Sequence, residues 1–297
     1  MGVISNLSFG IANWKIDREF RKAEMQNYMH DSDDYEIQYW DNRKEDKPVL
    51  LILHGLGAMA KYQWFEQLEV LSNYRIIIPN LLHFGKSKPK SKKYAVEDQI
   101  DMIQFLVGEL KLSSYSLMGA SYGGLISGEI ANRFPDQVER LVLVDAAIKF
   151  VYDSDNKRVC DEFGVASVRE LFAPSTPAAL RKLIVATVGK YGLKPPTFTL
   201  KGFHDALYAY NLDDKRKVVM TMVAAREKYE KHEYNFEMPV HLIWGECDRL
   251  IPADRGKLFH EHIGNGATLD IIKKGGHMPN MNRTRAFNKL LRQYLKD

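Results

Sequence analysis

The sequence has little of what several protein classes require. Its 297 residues contain two cysteines, Cys160 and Cys247, whose separation suggests neither a disulfide framework nor a metal site. No apolar run approaches the roughly 18 residues that a transmembrane helix needs. The first residues lack the basic start and apolar core of a signal peptide. We therefore predict a cytoplasmic protein with reduced thiols.

The charge of the chain argues against one class of partner. A net charge of +4 is small for this length and no recognition motif is present, so we expect no nucleic-acid partner. The strongest local bias is segment 86–93, with five lysines in eight residues, which we interpret as a solvated loop. With 45% hydrophobic and 27% charged residues, the composition is that of an ordinary globular protein.

The N-terminal segment, residues 1–24, has the pattern of an amphipathic helix. Large apolar residues recur at three- and four-residue spacing, followed by basic residues; the apolar ones are Ile4, Leu7, Ile11 and Trp14. Such a helix either packs on its own domain or lies on a membrane surface, and both alternatives stay open. A peripheral, weak membrane contact through residues 1–24 therefore qualifies the cytoplasmic prediction.

Short apolar segments alternate with helical patterns along most of the chain. Continuous apolar runs are typical of strands buried on both faces of a parallel sheet. The predicted strands are 25–30, 35–40, 48–53, 75–79, 114–118, 141–144, 240–244 and 268–272. The helical patterns between them lie near 61–72, 95–110, 122–134, 253–262 and 284–296. This alternation predicts an α/β fold with a mostly parallel eight-stranded sheet flanked by helices.

One connection in this alternation is unusually long. About 90 residues separate the strand that ends near Val144 from the one that begins at Val240, whereas such connections usually need about 2–6 residues plus a helix. The intervening segment carries helical patterns near 167–172, 177–189, 199–209 and 213–231. We therefore predict a helical cap at residues 148–236. The core domain then comprises residues 25–147 and 237–297.

The strongest chemical signal is the segment Gly119-Ala-Ser-Tyr-Gly123. It follows a predicted strand and opens a predicted helix, which is the strand–turn–helix setting of a serine nucleophile. Small neighbours are needed there because the serine adopts a strained backbone conformation. We predict that Ser121 is the nucleophile. The alternative is a glycine-rich turn with an incidental serine.

A second glycine-containing loop, His54-Gly-Leu-Gly57, follows the predicted strand 48–53. Its glycines let the backbone approach a substrate closely. We predict an oxyanion hole made by the backbone N–H groups of Leu56 and Tyr122. We interpret His54 as a structural residue whose ring fixes this loop.

Two later loops supply a candidate acid and a candidate base. Asp248 stands just beyond one buried strand, and His277 follows two glycines after the next strand. We predict that His277 is the base and Asp248 the acid that orients it. Glu246 and Asp254 are rival carboxylates in the same loop region. Asp145, at the end of the predicted strand 141–144, is the more serious alternative acid.

The order Ser, Asp, His, with each residue just after a strand, resembles the α/β-hydrolase fold superfamily over nearly the whole chain. Segment 78–87 is similar to a family loop, with His83 where a glycine is common. The stretch Ala173-Pro-Ser-Thr-Pro177 resembles the cap of the branch that contains monoacylglycerol lipases and meta-cleavage-product hydrolases. The resemblance implies a capped serine hydrolase that needs no metal and no organic cofactor.

The same resemblance implies a function. We expect an esterase or lipase that forms an acyl-enzyme on Ser121, with a small-molecule ester of an apolar acyl chain, such as a monoacylglycerol, as substrate. Three alternatives stay open: hydrolysis of a carbon–carbon bond in a vinylogous diketone acid, a cofactor-free perhydrolase or haloperoxidase, and a non-catalytic small-molecule receptor that retains the triad. Epoxide and haloalkane hydrolases are disfavoured because they use an Asp nucleophile.

Overall fold

The computed structural model describes residues 2–57, 59–146, 148–189, 191–192 and 194–295. Parts of the predicted segments lie outside these described residues. They are Met1 of the N-terminal helix, Ala58 and Ala147 of the first core segment, Lys190 and Leu193 of the predicted cap, and residues 296–297 of the last helix and the second core segment.

The strands follow one another as the sequence predicted, with one short addition. Their bounds are Gln26–Asp31 (β1), Tyr35–Asp41 (β2), Val49–Leu53 (β3), Arg75–Pro79 (β4), Lys88–Pro89 (β5), Tyr115–Ala120 (β6), Val138–Val144 (β7), Val240–Gly245 (β8) and Ala267–Ile272 (β9). The two-residue strand β5 was not predicted, because it lies in the lysine-rich segment that we interpreted as a loop.

Among the described residues, nine strands form one sheet, one more than the predicted eight. Eight of them follow the order β1-β2-β4-β3-β6-β7-β8-β9, and the additional strand β5 pairs with β2. The neighbours from β4 to β9 are parallel, whereas β1, β2 and β5 are joined by antiparallel pairs. This arrangement confirms the predicted α/β class with a mostly parallel sheet.

The helices lie before, between and after these strands. The first part of the chain has Gly2–Lys22 (α1), Ala60–Trp64 (α2), Val96–Glu109 (α3) and Tyr122–Arg133 (α4). Between β7 and β8 lie Asp153–Phe163 (α5), Val168–Phe172 (α6), Pro177–Val188 (α7), Lys201–His204 (α8), Leu212–Ala224 (α9) and Arg226–Lys231 (α10). The last part has Ala253–Ile263 (α11), Pro279–Asn282 (α12) and Thr284–Tyr294 (α13).

Strand β3 shows why the sheet is buried on both faces. Leu51 and Leu53 belong to an apolar cluster with residues of α3 and α4, whereas Leu50 and Ile52 belong to a second cluster with residues of α1 and α13. All four side chains are at most 1% exposed. A strand that alternates between two cores must be apolar throughout, which explains its unbroken aliphatic sequence.

Helix α1 has two contrasting faces. Its buried residue Phe20 contacts the Trp40 ring of β2 edge-on at 5.8 Å, and Phe9 contacts Phe203 of the segment between β7 and β8 at 5.2 Å. On the opposite face, three large apolar residues are 58–62% exposed, namely Leu7, Ile11 and Trp14. In the part of the chain that the structure describes, no helix is both long and apolar enough to span a membrane.

The two ends of the segment between β7 and β8 meet. The backbone N–H of Phe150 donates to a Glu230 carboxylate oxygen at 2.7 Å, and Lys149 Nζ donates to the His232 carbonyl at 2.8 Å. The long segment therefore leaves the sheet and returns to it at neighbouring points.

Several helical predictions differ from the structure. Helix α5 was missed because its sequence is mostly polar, and only three of its residues are buried. The predicted helix 61–72 instead consists of α2 followed by a 3₁₀ turn that ends at Gln67. The predicted helix 199–209 is the short helix α8 followed by a π turn, Asp205–Ala209.

Candidate active site

Ser121 occupies a strained turn between β6 and α4. Its backbone angles are φ 52° and ψ −116°, a region that L-residues rarely adopt, and its N–H donates to the Val144 carbonyl at 2.9 Å. A Cβ atom on Gly119 would lie 2.3 Å from the Gly123 carbonyl oxygen. The turn can therefore close only with glycine at this position, which is the steric reason for the motif found in the sequence.

His277 and Asp248 form a buried hydrogen-bonded pair. His277 Nδ1 lies 2.7 Å from Asp248 Oδ2, and the two side chains are 4% and 0% exposed. The other oxygen, Oδ1, accepts the N–H groups of Leu250 and Ile251 at 2.8 and 3.0 Å. Because a carboxylate only accepts hydrogen bonds, Nδ1 carries the imidazole proton and Nε2 keeps a free lone pair.

Backbone packing fixes the loop that carries His277. A Cβ atom on Gly245, the last residue of β8, would lie 2.0 Å from the Gly276 carbonyl oxygen. The N–H of Met278 donates to the Thr187 carbonyl of α7 at 3.2 Å. Contacts on both sides therefore hold His277 in position, and one of them comes from the segment between β7 and β8.

Ser121, His277 and Leu56 line one small cavity with a volume of about 60 Å³. Its other described lining residues are apolar apart from one asparagine: Val151, Asn156, Val159, Val168, Phe172, Met222, Leu250 and Ile251. None of the described lining residues is a lysine or an arginine. The structure thus brings the predicted nucleophile, base and oxyanion loop to one apolar space.

Of the two predicted oxyanion donors, Leu56 lines this space and Tyr122 directly follows Ser121, which also lines it. Tyr122 is the first residue of α4, and Leu56 lies in the loop after β3. Within the described residues, the N–H groups of Leu56 and Tyr122 have no hydrogen-bond acceptor. An N–H group that has no acceptor in the protein can donate to a bound substrate.

The sequence and the fold of this chain are shared with known proteins. A sequence model described as the alpha/beta hydrolase fold matches residues 48–284. The chain belongs to this family. The human protein named monoacylglycerol lipase ABHD6 is 27% identical over 279 residues, which cover 90% of this chain and 81% of the human protein.

Two solved structures share the α/β-hydrolase fold along most of the chain. A bacterial membrane phospholipase A described as a virulence factor superposes with a TM-score of 0.82 at 22% identity, covering 99% of this chain and 93% of its own. The 2-hydroxy-6-oxo-6-phenylhexa-2,4-dienoate hydrolase of Rhodococcus sp. strain RHA1 superposes with a TM-score of 0.78 at 18% identity, covering 92% and 99%. At these identities the likeness concerns the fold alone.

The alternative acid of this α/β-hydrolase, Asp145, lies next to the pair. It follows β7 with a positive φ of 43°, is fully buried, and its Oδ1 accepts the Gly245 N–H at 2.8 Å. Its Oδ2 has no donor among the described residues. Burial, and secondly the charge of Asp248, raise the pKa of Asp145 well above its usual value. This environment disfavours the charged form of Asp145, whereas the acid that stabilises an imidazolium must be a carboxylate.

The remaining rival carboxylates point elsewhere. Glu246 is exposed and accepts the Lys274 N–H at 2.8 Å, and Asp254 pairs with Lys257 on the surface of α11.

Metal-ligating side chains in the described residues cluster only at the acid–base pair. Asp145, Asp248 and His277 have ligand atoms within 4.8 Å of one another. A metal ion there would have to displace the imidazole from Asp248.

Other contacts hold residues 54–57, the predicted oxyanion loop of this α/β-hydrolase. The His54 ring joins the Gly55 carbonyl through Nδ1 at 2.8 Å and accepts the Leu81 N–H on Nε2 at 3.0 Å, in agreement with the structural role inferred from the sequence. Sequence reasoning missed two further residues. Gln63 accepts the Gly55 N–H at 2.9 Å, and the Tyr208 hydroxyl donates to the Gly57 carbonyl.

Proposed function

We propose that the protein hydrolyses carboxylic esters through a Ser121–His277–Asp248 triad. The observation that carries the proposal is the buried bond between His277 Nδ1 and Asp248 at 2.7 Å, in a pair that shares a cavity with the strained Ser121 turn. A base whose tautomer is set by a buried acid, next to a serine on such a turn, is the arrangement needed for acyl transfer.

In this mechanism, His277 Nε2 takes the proton of the Ser121 hydroxyl as Oγ attacks the ester carbonyl. The N–H groups of Leu56 and Tyr122 stabilise the oxyanion, and loss of one such donor typically costs about 2.7–4 kcal/mol. The imidazolium then protonates the leaving alcohol and leaves an acyl group on Ser121. Water, deprotonated by the same imidazole, releases the acid.

The chemistry of the cavity walls favours a neutral ester with an apolar acyl chain. Its described walls are apolar and contain no lysine or arginine to pair with a carboxylate. This favours a monoacylglycerol-like ester, in line with the name of the human relative. A vinylogous diketone acid carries a carboxylate, so the carbon–carbon hydrolase alternative fits the cavity less well.

Residues 148–236 form, in this proposal, a cap that covers the triad. They supply six of the residues that line the Ser121 cavity: Val151, Asn156, Val159, Val168, Phe172 and Met222. We take residues 25–147 and 237–297 as the core domain, since these segments carry the sheet.

An ester panel of graded acyl length tests the proposal, run with Ser121→Ala and with Ser113→Ala as a matched control, because Ser113 is exposed on a distant turn. We expect turnover and fluorophosphonate labelling in the wild type and the control, and neither in Ser121→Ala. Labelling of the wild type without repeated turnover would support the receptor alternative instead. Comparable ester turnover in Ser121→Ala would contradict the proposed mechanism.

We also propose that α1 rests on a membrane surface. Its exposed residues Leu7, Ile11 and Trp14 lie on one helical face, and the basic residues Lys15 and Arg18 follow directly. The cytoplasmic location stays a prediction, and this contact makes the protein peripheral to a bilayer.

Vesicle sedimentation tests the membrane contact. We expect binding to phosphatidylglycerol vesicles that is lost in the triple variant Leu7→Ser, Ile11→Ser, Trp14→Ser. Binding should survive in Met220→Ser, which removes an equally exposed apolar side chain from α9. Equal binding of the triple variant and the wild type would show that α1 makes no membrane contact.

A further inference from the structure

A second, larger cavity lies beside the Ser121 cavity. It has a volume of about 510 Å³ and is bounded by α1, α7, the turn after α8 and the residues that follow His277. We call it the α1–α7 chamber, with walls that include Ala12, Ile16, Leu183, Ile184 and Leu207. None of its described lining residues carries a charge, so its chemistry suits a hydrocarbon chain and not an ionic head group.

The chamber adjoins the active site through two loops. Gly57 and Met278 line the chamber, and they directly follow Leu56 and His277, which line the Ser121 cavity. Ligand pockets usually measure roughly 300–1,000 Å³. The chamber falls within this range, whereas the 60 Å³ beside Ser121 falls far below it.

Leu183 lines the chamber beside Gly57. Its methyl carbons are 3.5 and 3.7 Å from the point that a Cβ atom on Gly57 would occupy. Leu183 also belongs to the same apolar cluster as Val159 and Leu250, which line the Ser121 cavity. A Cβ atom at position 57 would be in van der Waals contact with Leu183, so the glycine leaves a gap of about one methyl group between its loop and α7.

We propose that the α1–α7 chamber binds the acyl chain of the ester that Ser121 attacks. The inference rests on the proposed function and narrows it to medium- and long-chain acyl esters. The carbonyl lies at Ser121, and the chain passes Gly57 and Leu183 toward α1. Helix α1 is then a wall of the substrate site, through Ala12 and Ile16, while its opposite face is exposed.

Two chamber-filling variants test this inference, Ile184→Trp on α7 and Ala12→Trp on α1. Both residues are half-buried, so a larger side chain fills the chamber without entering a closed core. We expect kcat/KM for p-nitrophenyl palmitate to fall about tenfold or more, because several methylenes lose their apolar site. For p-nitrophenyl butyrate we expect a change of about twofold at most. Ala178→Trp, exposed on the same helix α7, is the control and should leave both values unchanged.

Binding without turnover separates this inference from the proposed function. In the Ser121→Ala background, a pyrene-labelled long-chain alcohol should bind and should lose affinity about tenfold when Ile184→Trp is added. If the wild type hydrolyses no ester, the proposed function fails, and binding of the alcohol still decides whether the chamber takes a hydrocarbon chain. Equal losses on both esters, or an unchanged rate on the palmitate ester and unchanged alcohol binding, would overturn the inference.

Discussion

The buried pair of Asp248 and His277 allows the effect of Asp248→Asn to be worked out from its hydrogen bonds. The N–H groups of Leu250 and Ile251 both donate to Asp248 Oδ1. In the variant they donate to the amide oxygen of the asparagine, which occupies the same position. The amide NH₂ then takes the place of Oδ2 and faces His277. Because an NH₂ group only donates, it forces the imidazole proton onto Nε2.

With its proton on Nε2, His277 cannot accept the proton of Ser121, as the proposed mechanism requires. In a serine protease, the same change of imidazole tautomer lowers kcat by roughly 10⁴-fold. This factor corresponds to a loss of about 5 kcal/mol of transition-state stabilisation. Asn has the shape of Asp and keeps two of the three hydrogen bonds, so we expect the variant to fold. Its melting temperature should lie within roughly 8 °C of the wild type, the shift expected for about 2 kcal/mol in a chain of this size.

The assay is the initial rate on p-nitrophenyl butyrate, with circular dichroism as a check of folding. Glu246→Gln is the matched control, because Glu246 is an exposed carboxylate two residues away whose bond is to the Lys274 N–H. The control should keep its activity. The reasoning is refuted if folded Asp248→Asn retains more than about a tenth of wild-type activity, or if Glu246→Gln loses as much.

Three further predictions follow from single contacts. Burial and the charge of Asp248 raise the pKa of Asp145 in the folded protein. Above about pH 4 the unfolded chain releases this proton while the folded protein still holds it, so the free energy of unfolding falls as the pH rises above about 4. Asp145→Asn should therefore raise the melting temperature at pH 8, and this gain should vanish toward pH 4; a gain that is constant with pH would refute the argument. Gly245→Ala should lower the free energy of unfolding by about 1–3 kcal/mol, because its Cβ would meet the opposing backbone. In Gly108→Ala of helix α3 the new Cβ atom would contact nothing, so this variant should raise the free energy of unfolding by about 0.5–1 kcal/mol. Both changes are measured by urea unfolding, and a change in the same direction for the two variants would contradict the steric account. Tyr208→Phe removes the hydroxyl that donates to the Gly57 carbonyl of the predicted oxyanion loop. We expect kcat to fall about fivefold with little change in KM. A change in KM alone would instead assign Tyr208 to substrate binding.

The predictable parts of the fold are those elements whose buried residues form a recognisable apolar pattern in the local sequence. Strand β3 is aliphatic at every position because both of its faces meet a core, and this run alone identifies a central strand. Helix α5 was missed because it buries only Asp155, Val159 and Phe163, which leaves too few apolar residues for a periodic pattern.

The candidate site was predictable where a residue type and its local setting coincide. Ser121 and His277 each lie near glycines at positions where a Cβ atom would collide with neighbouring backbone. These glycines are visible in the sequence and make the two residues recognisable. Gln63 and Tyr208 were missed because their bonds to the oxyanion loop depend on tertiary contacts, and nothing in the neighbouring sequence indicates them. Asp145 stayed open as an acid because the end of a strand alone does not reveal whether its carboxyl is neutral or charged.

The meeting of the two ends of the segment between β7 and β8 has a consequence for how such a protein changes over time. Phe150 and Lys149 at its start bond to Glu230 and His232 at its end. The segment therefore leaves and re-enters the sheet at neighbouring points, whatever the length of chain between them, and in this it resembles a short loop. Insertions, deletions or a wholesale exchange of this excursion leave the strands that carry Ser121 and His277 in register. New specificities can therefore arise there as long as the bonds of Thr187 and Tyr208 to the loops that carry His277 and Leu56 are kept.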